Sequence, residues 1–184
     1  MRETIGLIAG GFKPLTRGHF SLIRKAAEEC DRVFLFVSTG NRARPGEVPV
    51  TWSQMESVWK KFLLKALPEN VTVKFLSHPI KGVIDTLSAA NTDSNNLNTF
   101  IIYSDSEDMA SNYPPRAQQK YFPRLLQNDQ VIFKPFERTS GINISGTKMR
   151  NFLGTGNIKG FTSGLPEPVQ PFGLEIFKML GGVT

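Results

Sequence analysis

The feature that most constrains this chain is a set of short apolar runs that do not alternate with polar residues. Thr4-Ile5-Gly6-Leu7-Ile8-Ala9 stops at Gly10-Gly11, and Arg32-Val33-Phe34-Leu35-Phe36-Val37-Ser38-Thr39 is the next such run. A strand with one wet face alternates, whereas an uninterrupted run of this length fits a strand covered on both faces, as in a parallel sheet. Between the two runs, residues 18–29 lead to Cys30 and place Phe20, Ile23, Ala27 and Cys30 at three- to four-residue spacing, which is helical. Strand, glycine turn, helix, strand is how an α/β fold begins.

The alternation continues to the end of the chain. Thr51 or Ser53 is placed to cap a helix whose apolar side carries Met55, Val58, Trp59, Phe62 and Leu63. Residues 71–76 predict a third strand, 81–90 a helix, 99–103 a fourth strand, 116–126 a helix and 130–134 a fifth strand. Residues 104–108 read as a loop leaving the fourth strand, 135–145 as a second loop, and 146–153 as a short helix ended by Gly154 and Gly156. Residues 168–180 predict a docking helix broken at Pro171. The expectation is a doubly wound, mostly parallel five-stranded sheet with helices on both faces. Residues 1–155 would form the domain and 156–184 a helical extension packed on it.

Composition narrows the class. With 184 residues, 40% hydrophobic and 21% charged, the chain suits one soluble globular domain. Cys30 is the one cysteine, so there is no internal disulfide or cysteine-rich zinc site, and two histidines are too few for a histidine metal cluster. No metal ligands are therefore assigned. The first apolar run is too short for a signal-peptide core or a membrane span, which leads us to expect a cytoplasmic protein with no membrane contact. The net charge of +6 suits a polyanionic partner.

In doubly wound sheets ligands bind beyond the carboxyl ends of the strands. Two of the loops there carry unusual residues. The first is Gly10-Gly11-Phe12-Lys13-Pro14-Leu15-Thr16-Arg17-Gly18-His19, where glycines allow close backbone approach to a phosphate and the following helix offers its positive end. Thr16 and His19, three apart, could face one anion, or Thr16 could simply cap the helix. The second is Arg138-Thr139-Ser140-Gly141-Ile142-Asn143-Ile144-Ser145-Gly146-Thr147-Lys148-Met149-Arg150, which gathers hydroxyls, glycines and cations at another helix entrance. It could hold phosphate oxygens or be a solvated cap.

Taken together, Thr16-Arg17-Gly18-His19 and Ile144-Ser145-Gly146-Thr147-Lys148-Met149-Arg150 resemble the paired (H/T)-x-G-H and I-S-(S/G)-T-x-x-R signatures of the nucleotidylyltransferase superfamily. The resemblance covers the chain from Ile5 to about Leu153. It implies transfer of a nucleoside monophosphate unit from ATP or CTP, with Mg2+, to a small phosphorylated acceptor, releasing pyrophosphate. It implies that His19 contacts the triphosphate, with Thr16 where many relatives have a first histidine. Gly10, Gly11, Phe12 and Gly18 would shape the nucleotide loop, and Ile144, Ser145, Gly146, Thr147 and Arg150 would hold the leaving phosphates. Lys13 departs from the usual acidic or polar residue and could bridge the α-phosphate and the acceptor phosphate, or sit in solvent. Gly146 replaces a common second serine.

Other residues have two readings each. Asn41, Arg42, Arg44 and Trp52 lie where relatives face the acceptor, so an indole could stack on a flat ring and an arginine could take a phosphate. Alternatively, Trp52 sits at a core edge and the arginines in water. Ser104 and Asp105 could contact base or ribose, or begin an acidic loop. Thr16 favours a phosphopantetheine acceptor, Trp52 a nicotinamide mononucleotide, and a glycerol-phosphate type of acceptor goes with CTP. The competing function is a basic module that binds nucleotide or nucleic acid without catalysis. The cations are scattered outside the two loops, which argues against nucleic acid. The apolar residues Phe172 and Phe177 could cover a second subunit of a homo-oligomer as readily as the chain's own sheet.

Overall fold

The computed structural model describes residues 2–136 and 144–184. Strands β1 (Thr4–Gly10), β2 (Arg32–Ser38), β3 (Val71–Leu76), β4 (Thr99–Ser104) and β5 (Val131–Pro135) form one sheet in the order β3-β2-β1-β4-β5, with every pairing parallel. The register sets Leu7 opposite Phe34 on one side and Ile102 on the other. Strand order reverses between β1 and β4, the topological switch of a Rossmann-like α/β fold.

Ten α-helices are described: α1 (Arg17–Glu29), α2 (Trp52–Val58), α3 (Leu64–Ala66), α4 (Pro79–Thr92), α5 (Ser106–Asn112), α6 (Pro115–Tyr121), α7 (Pro123–Gln127), α8 (Gly146–Gly154), α9 (Ile158–Gly164) and α10 (Gly173–Met179). A π-helical turn, Trp59–Leu63, joins α2 to α3, and a 3-10 helix, Glu167–Phe172, precedes α10. The chain divides into two compact units. The first holds the described residues of Met1–Gly10, Leu22–Ser38 and Pro68–Arg138, and the second those of Gly11–Ser21, Thr39–Leu67 and Thr139–Thr184.

The first unit contains the whole sheet. Ile5, Leu7, Phe36, Phe100 and Ile102 pack with Val83 and Leu87 of α4 to make its core. Gly82 lets that helix lie close, because a Cβ there would stand 2.5 Å from Leu76 Cδ1 and 2.6 Å from Phe36 Cδ1. Helix ends are closed by side chains distant in sequence. Asn70 Nδ2 donates to the carbonyls of Ala27 and Cys30 after α1, at 2.9 and 3.0 Å. Arg124 donates to the carbonyls of Ala90, Asn91 and Asp93 at the end of α4.

The second unit has a core of Met55, Trp59, Met149, Leu153, Phe161, Ile176 and Phe177, with the Phe161 and Phe177 rings meeting edge-on at 5.4 Å. Phe177 is fully buried, while Phe172 remains 46% exposed.

Several element expectations change. Residues 106–108 belong to α5, because the Asp105 carboxylate accepts the Asp108 N–H and starts a helix. The helix expected over 116–126 is two, since Pro123 cannot continue the first and Phe122 leaves helical geometry. Pro171 sits inside a 3-10 turn and only Gly173–Met179 is α-helical. Helix α9, capped by the Asn157 side chain, was not expected. Ala26, not Ala27, is the fully buried alanine of α1. No helix among the described residues is long and apolar enough to cross a membrane.

Candidate active site

Most of the residues singled out above fall in the second unit, on segments that follow β1 and β2 in the chain and on α8. The loop after β1 is tightly specified. Phe12 is buried and has φ of 48°, a left-handed backbone that side chains other than glycine rarely adopt. Its ring packs edge-on to the His19 imidazole, with centroids 5.1 Å apart.

Thr16 is 1% exposed, precedes α1, and caps it through its hydroxyl. Its Oγ1 accepts the His19 N–H at 3.3 Å, while His19 Nδ1 accepts the Thr16 N–H at 3.2 Å and lies 3.1 Å from Thr16 Oγ1. This is a reciprocal capping box with an imidazole in place of the usual Glu or Gln. A backbone N–H can only donate, so Nδ1 is the unprotonated nitrogen and neutral His19 carries its proton on Nε2. Thr16 thus does cap the helix, and by doing so it orients the half-buried His19. Gly18 lies between them in the first turn.

Lys13 does not sit in solvent. It is 5% exposed, and its Nζ donates to the Gly11 carbonyl at 3.1 Å. Burial, and then the neighbouring Arg42 guanidinium, push its ammonium down to about 8. Arg42 is half-buried, and its Nη2 lies 3.4 Å from where a Cβ on Gly11 would be. Burial, Arg44 and Arg150 all act to lower its proton affinity, and Glu47 opposes them. Arg44 and Asn41 are exposed, and Asn41 Oδ1 accepts the N–H of Trp52, the half-buried first residue of α2. Thr51 is the cap of α2, through a capping box with Gln54.

Helix α8 brings in the second motif. Ser145 caps it, its Oγ accepting the Lys148 N–H at 3.1 Å. Arg150 is 4% exposed; its Nη1 donates to the Lys13 carbonyl at 2.8 Å, its Nη2 to Thr147 Oγ1 at 3.2 Å, and its Nε to Glu47 at 2.5 Å. The bond to Lys13 spans 137 residues of sequence and joins the two motifs. A Cβ on Gly146 would lie 3.0 Å from Arg150 Nη1, so glycine gives that guanidinium room, and Ile144 packs beside Gly164. Residues 138–143, the first part of the second loop, lie outside the described residues.

Arg42, Arg44 and Arg150 therefore act on the Glu47 carboxylate, and Arg42 also acts on the Lys13 ammonium; among the described residues that cation excess suits a polyphosphate. Glu47 is a site residue that sequence reading missed. Gly10, Ser104 and Asp105 belong to the first unit. There Gly10 ends β1, the Ser104 carbonyl accepts the Phe136 N–H, and Asp105 caps α5. Among the described residues, no group of three or more His, Cys, Asp and Glu gathers as a metal cage.

Comparison of the sequence with protein-family models and with curated proteins found no match. Comparison of the fold with solved structures did. Plasmodium falciparum nicotinic acid mononucleotide adenylyltransferase complexed with APC aligns over 99% of both chains, with a TM-score of 0.64 and 12% identity. Thermotoga maritima TmcAL bound with alpha-thio ATP aligns over 98% of this chain and 55% of its own, with a TM-score of 0.54 and 16% identity. The bifunctional NMN adenylyltransferase/ADP ribose pyrophosphatase from Francisella tularensis aligns over 98% of this chain and 53% of its own, with a TM-score of 0.57 and 17% identity. The chain thus spans about half the length of the last two and nearly all of the first. At such identities the likeness establishes architecture: this chain has the Rossmann-like α/β fold found in nicotinate and nicotinamide mononucleotide adenylyltransferases.

Proposed function

We propose that this chain is an adenylyltransferase, moving AMP from ATP to a small phosphate-bearing acceptor and releasing pyrophosphate. The observation that carries the reading is the 2.8 Å bond from Arg150 to the Lys13 carbonyl, which ties two motifs of phosphate-binding character into one cation-rich site. In this reading an acceptor phosphate oxygen attacks the α-phosphorus in line as pyrophosphate departs. His19 offers its Nε2–H to the triphosphate, and Lys13 places an ammonium between the α-phosphate and the acceptor phosphate. Ser145, Thr147 and Arg150 address the leaving pyrophosphate, to which each terminal Arg150 nitrogen can still turn a second N–H. The protein works by alignment and charge stabilisation, with no covalent intermediate. Magnesium enters as part of the Mg·ATP substrate, held by phosphate oxygens.

Fold neighbours named as adenylyltransferases favour ATP over CTP. Arg42 and the half-buried Trp52 suit an acceptor that has both a phosphate and a flat ring, such as a pyridine mononucleotide. The single buried Cys30 suits a reducing, cytoplasmic setting.

A pyrophosphate-release screen of ATP and CTP against phosphorylated acceptors, nicotinic acid mononucleotide among them, tests this. The expected result is turnover with ATP and one acceptor, reduced about 10²- to 10³-fold by His19→Ala. Tight RNA or DNA binding with no pyrophosphate release would instead favour the basic module.

A further inference from the structure

The most deeply buried ion pair described in the second unit joins Arg150 to Glu47, with side chains only 5% and 10% exposed. Glu47 reaches it on a small hairpin. Arg42 and Val50 exchange both backbone hydrogen bonds at 2.9 Å, Gly46 turns the tip with φ of +80°, and the Glu47 N–H donates to the Arg44 carbonyl. Val48, beside Glu47, lies against Gly154 at the end of α8. Hairpin and helix are thereby registered, and the carboxylate meets Nε of Arg150.

The three bonds on Arg150 hold its plane from different sides: Glu47 on Nε, the Lys13 carbonyl on Nη1 and Thr147 on Nη2. Two of these partners are neutral. Glu47 is the charged one, and charge-assisted bonds of this kind are the short, strong, directional ones. Without an acceptor at that position, the buried Arg150 Nε–H would lose the bond that fixes it, and repulsion from the neighbouring Arg42 guanidinium would favour another rotamer. We propose that Glu47 is a positioning residue for the nucleotidyl-transfer step, fixing the Arg150 guanidinium so that its remaining N–H groups meet the departing pyrophosphate. This rests on the adenylyltransferase reading above.

Two effects of removing Glu47 differ in sign, which separates positioning from scaffolding. Loss of a negative charge from a cation cluster strengthens ground-state binding of ATP. Loss of the fixed guanidinium weakens stabilisation of the charge that develops on the leaving group. With ATP and the acceptor of highest turnover in the screen, Glu47→Ala is expected to lower both KM for ATP and kcat, the latter by about 10- to 100-fold. Glu47→Gln loses the charge but keeps an acceptor for Nε–H, so it should share the lowered KM for ATP while retaining kcat within about tenfold of the parent. In an Arg150→Ala background, which itself loses about 10²- to 10³-fold, adding Glu47→Ala should change kcat less than about twofold, because Glu47 acts through Arg150.

An independent readout needs no turnover. The Nε–H signal of Arg150 in 15N NMR should be slow to exchange in the parent and Glu47→Gln proteins and fast in Glu47→Ala. If Glu47→Ala fails to fold, Glu47→Gln carries the test: a lowered KM with kcat within about tenfold and a slow Arg150 Nε–H supports the positioning role, and a fast-exchanging Nε–H with kcat unchanged overturns it. Full kcat in Glu47→Ala beside a crippled Arg150→Ala overturns the positioning role and leaves the adenylyltransferase reading standing. A full additional loss on combining the two substitutions likewise overturns it. Full activity in Arg150→Ala overturns the reading itself, and the inference with it.

Discussion

We predict that ATP binding by this chain weakens between pH 7.5 and 9, and that Lys13 is the cause. Its ammonium is buried beside Arg42 and pushed down to about 8, far below an ordinary lysine. With that value the protonated fraction falls from about three quarters at pH 7.5 to about one tenth at pH 9. If only the ammonium form binds, the apparent affinity falls about eightfold over that window. The terminal phosphate ionises near pH 6 and is constant across it. The sign follows from linkage: the bound polyanion raises the lysine's proton affinity, so binding takes up a proton and weakens as protons become scarce.

Stability should respond in the opposite direction. An ammonium whose pKa is lowered by folding binds its proton more tightly in the unfolded chain, so the chain gains stability as pH rises from about 8 toward the unfolded value near 10.4. Lys13→Met removes both effects. Calorimetric titration with ATP should show weaker, pH-independent binding in the variant, and its melting temperature near pH 7 should exceed the parent's. A Lys13→Met protein that keeps the parent's pH slope for ATP would refute the placement of this ammonium at the nucleotide.

Substitutions at three further positions have defined outcomes. Thr16→Ala removes the hydroxyl that caps α1 and touches His19 Nδ1, leaving only the backbone bond to that nitrogen; it should cost about 1 kcal/mol in thermal unfolding and also lower turnover, whereas Thr16→Ser, which keeps the hydroxyl, restores both. Gly146→Ser restores the serine of the resembled motif yet should reduce turnover several-fold, because its Cβ would press at 3.0 Å on an Arg150 guanidinium already tied to Glu47 and Lys13; a gain in pyrophosphate release would contradict this. Gly82→Ala puts a methyl 2.5 Å from Leu76 Cδ1 against a packed sheet, and a loss of about 1–3 kcal/mol in denaturant unfolding is expected.

The sheet was legible because its signal is local: each strand announces itself in a handful of consecutive residues, and continuous runs such as 33–37 imply burial on both faces and hence parallel pairing. Helix ends were less so. The start of α5 depends on whether Asp105 turns its carboxylate onto the Asp108 N–H, and an acidic run reads equally well as a loop. The Thr16–His19 box was hidden because the pattern expected of a capping box has Glu or Gln at the third helical position, and only geometry shows that an unprotonated imidazole nitrogen can serve the same N–H.

The candidate site divides along the same line. The features proposed to meet a phosphate lay in spacing, with glycines and hydroxyls at two helix entrances. Its electrostatics lay in contacts between segments far apart in the chain. A lysine is by default an exposed residue, so nothing in the sequence around Lys13 foretells an amine 5% exposed and half-titrated near pH 8. Glu47 sits in an exposed-looking stretch of Arg, Gly and Pro, and its partner Arg150 is 103 residues away. The Arg42–Val50 bridge sets that distance aside by folding the stretch into a hairpin. The local pattern thus names the atoms that would meet a phosphate, while the long-range contacts decide which of them are charged and which way they point. In the adenylyltransferase reading those second properties set rate and pH dependence, so Lys13, whose burial the sequence left open, and Glu47, unseen in it, are where that reading is most exposed to experiment.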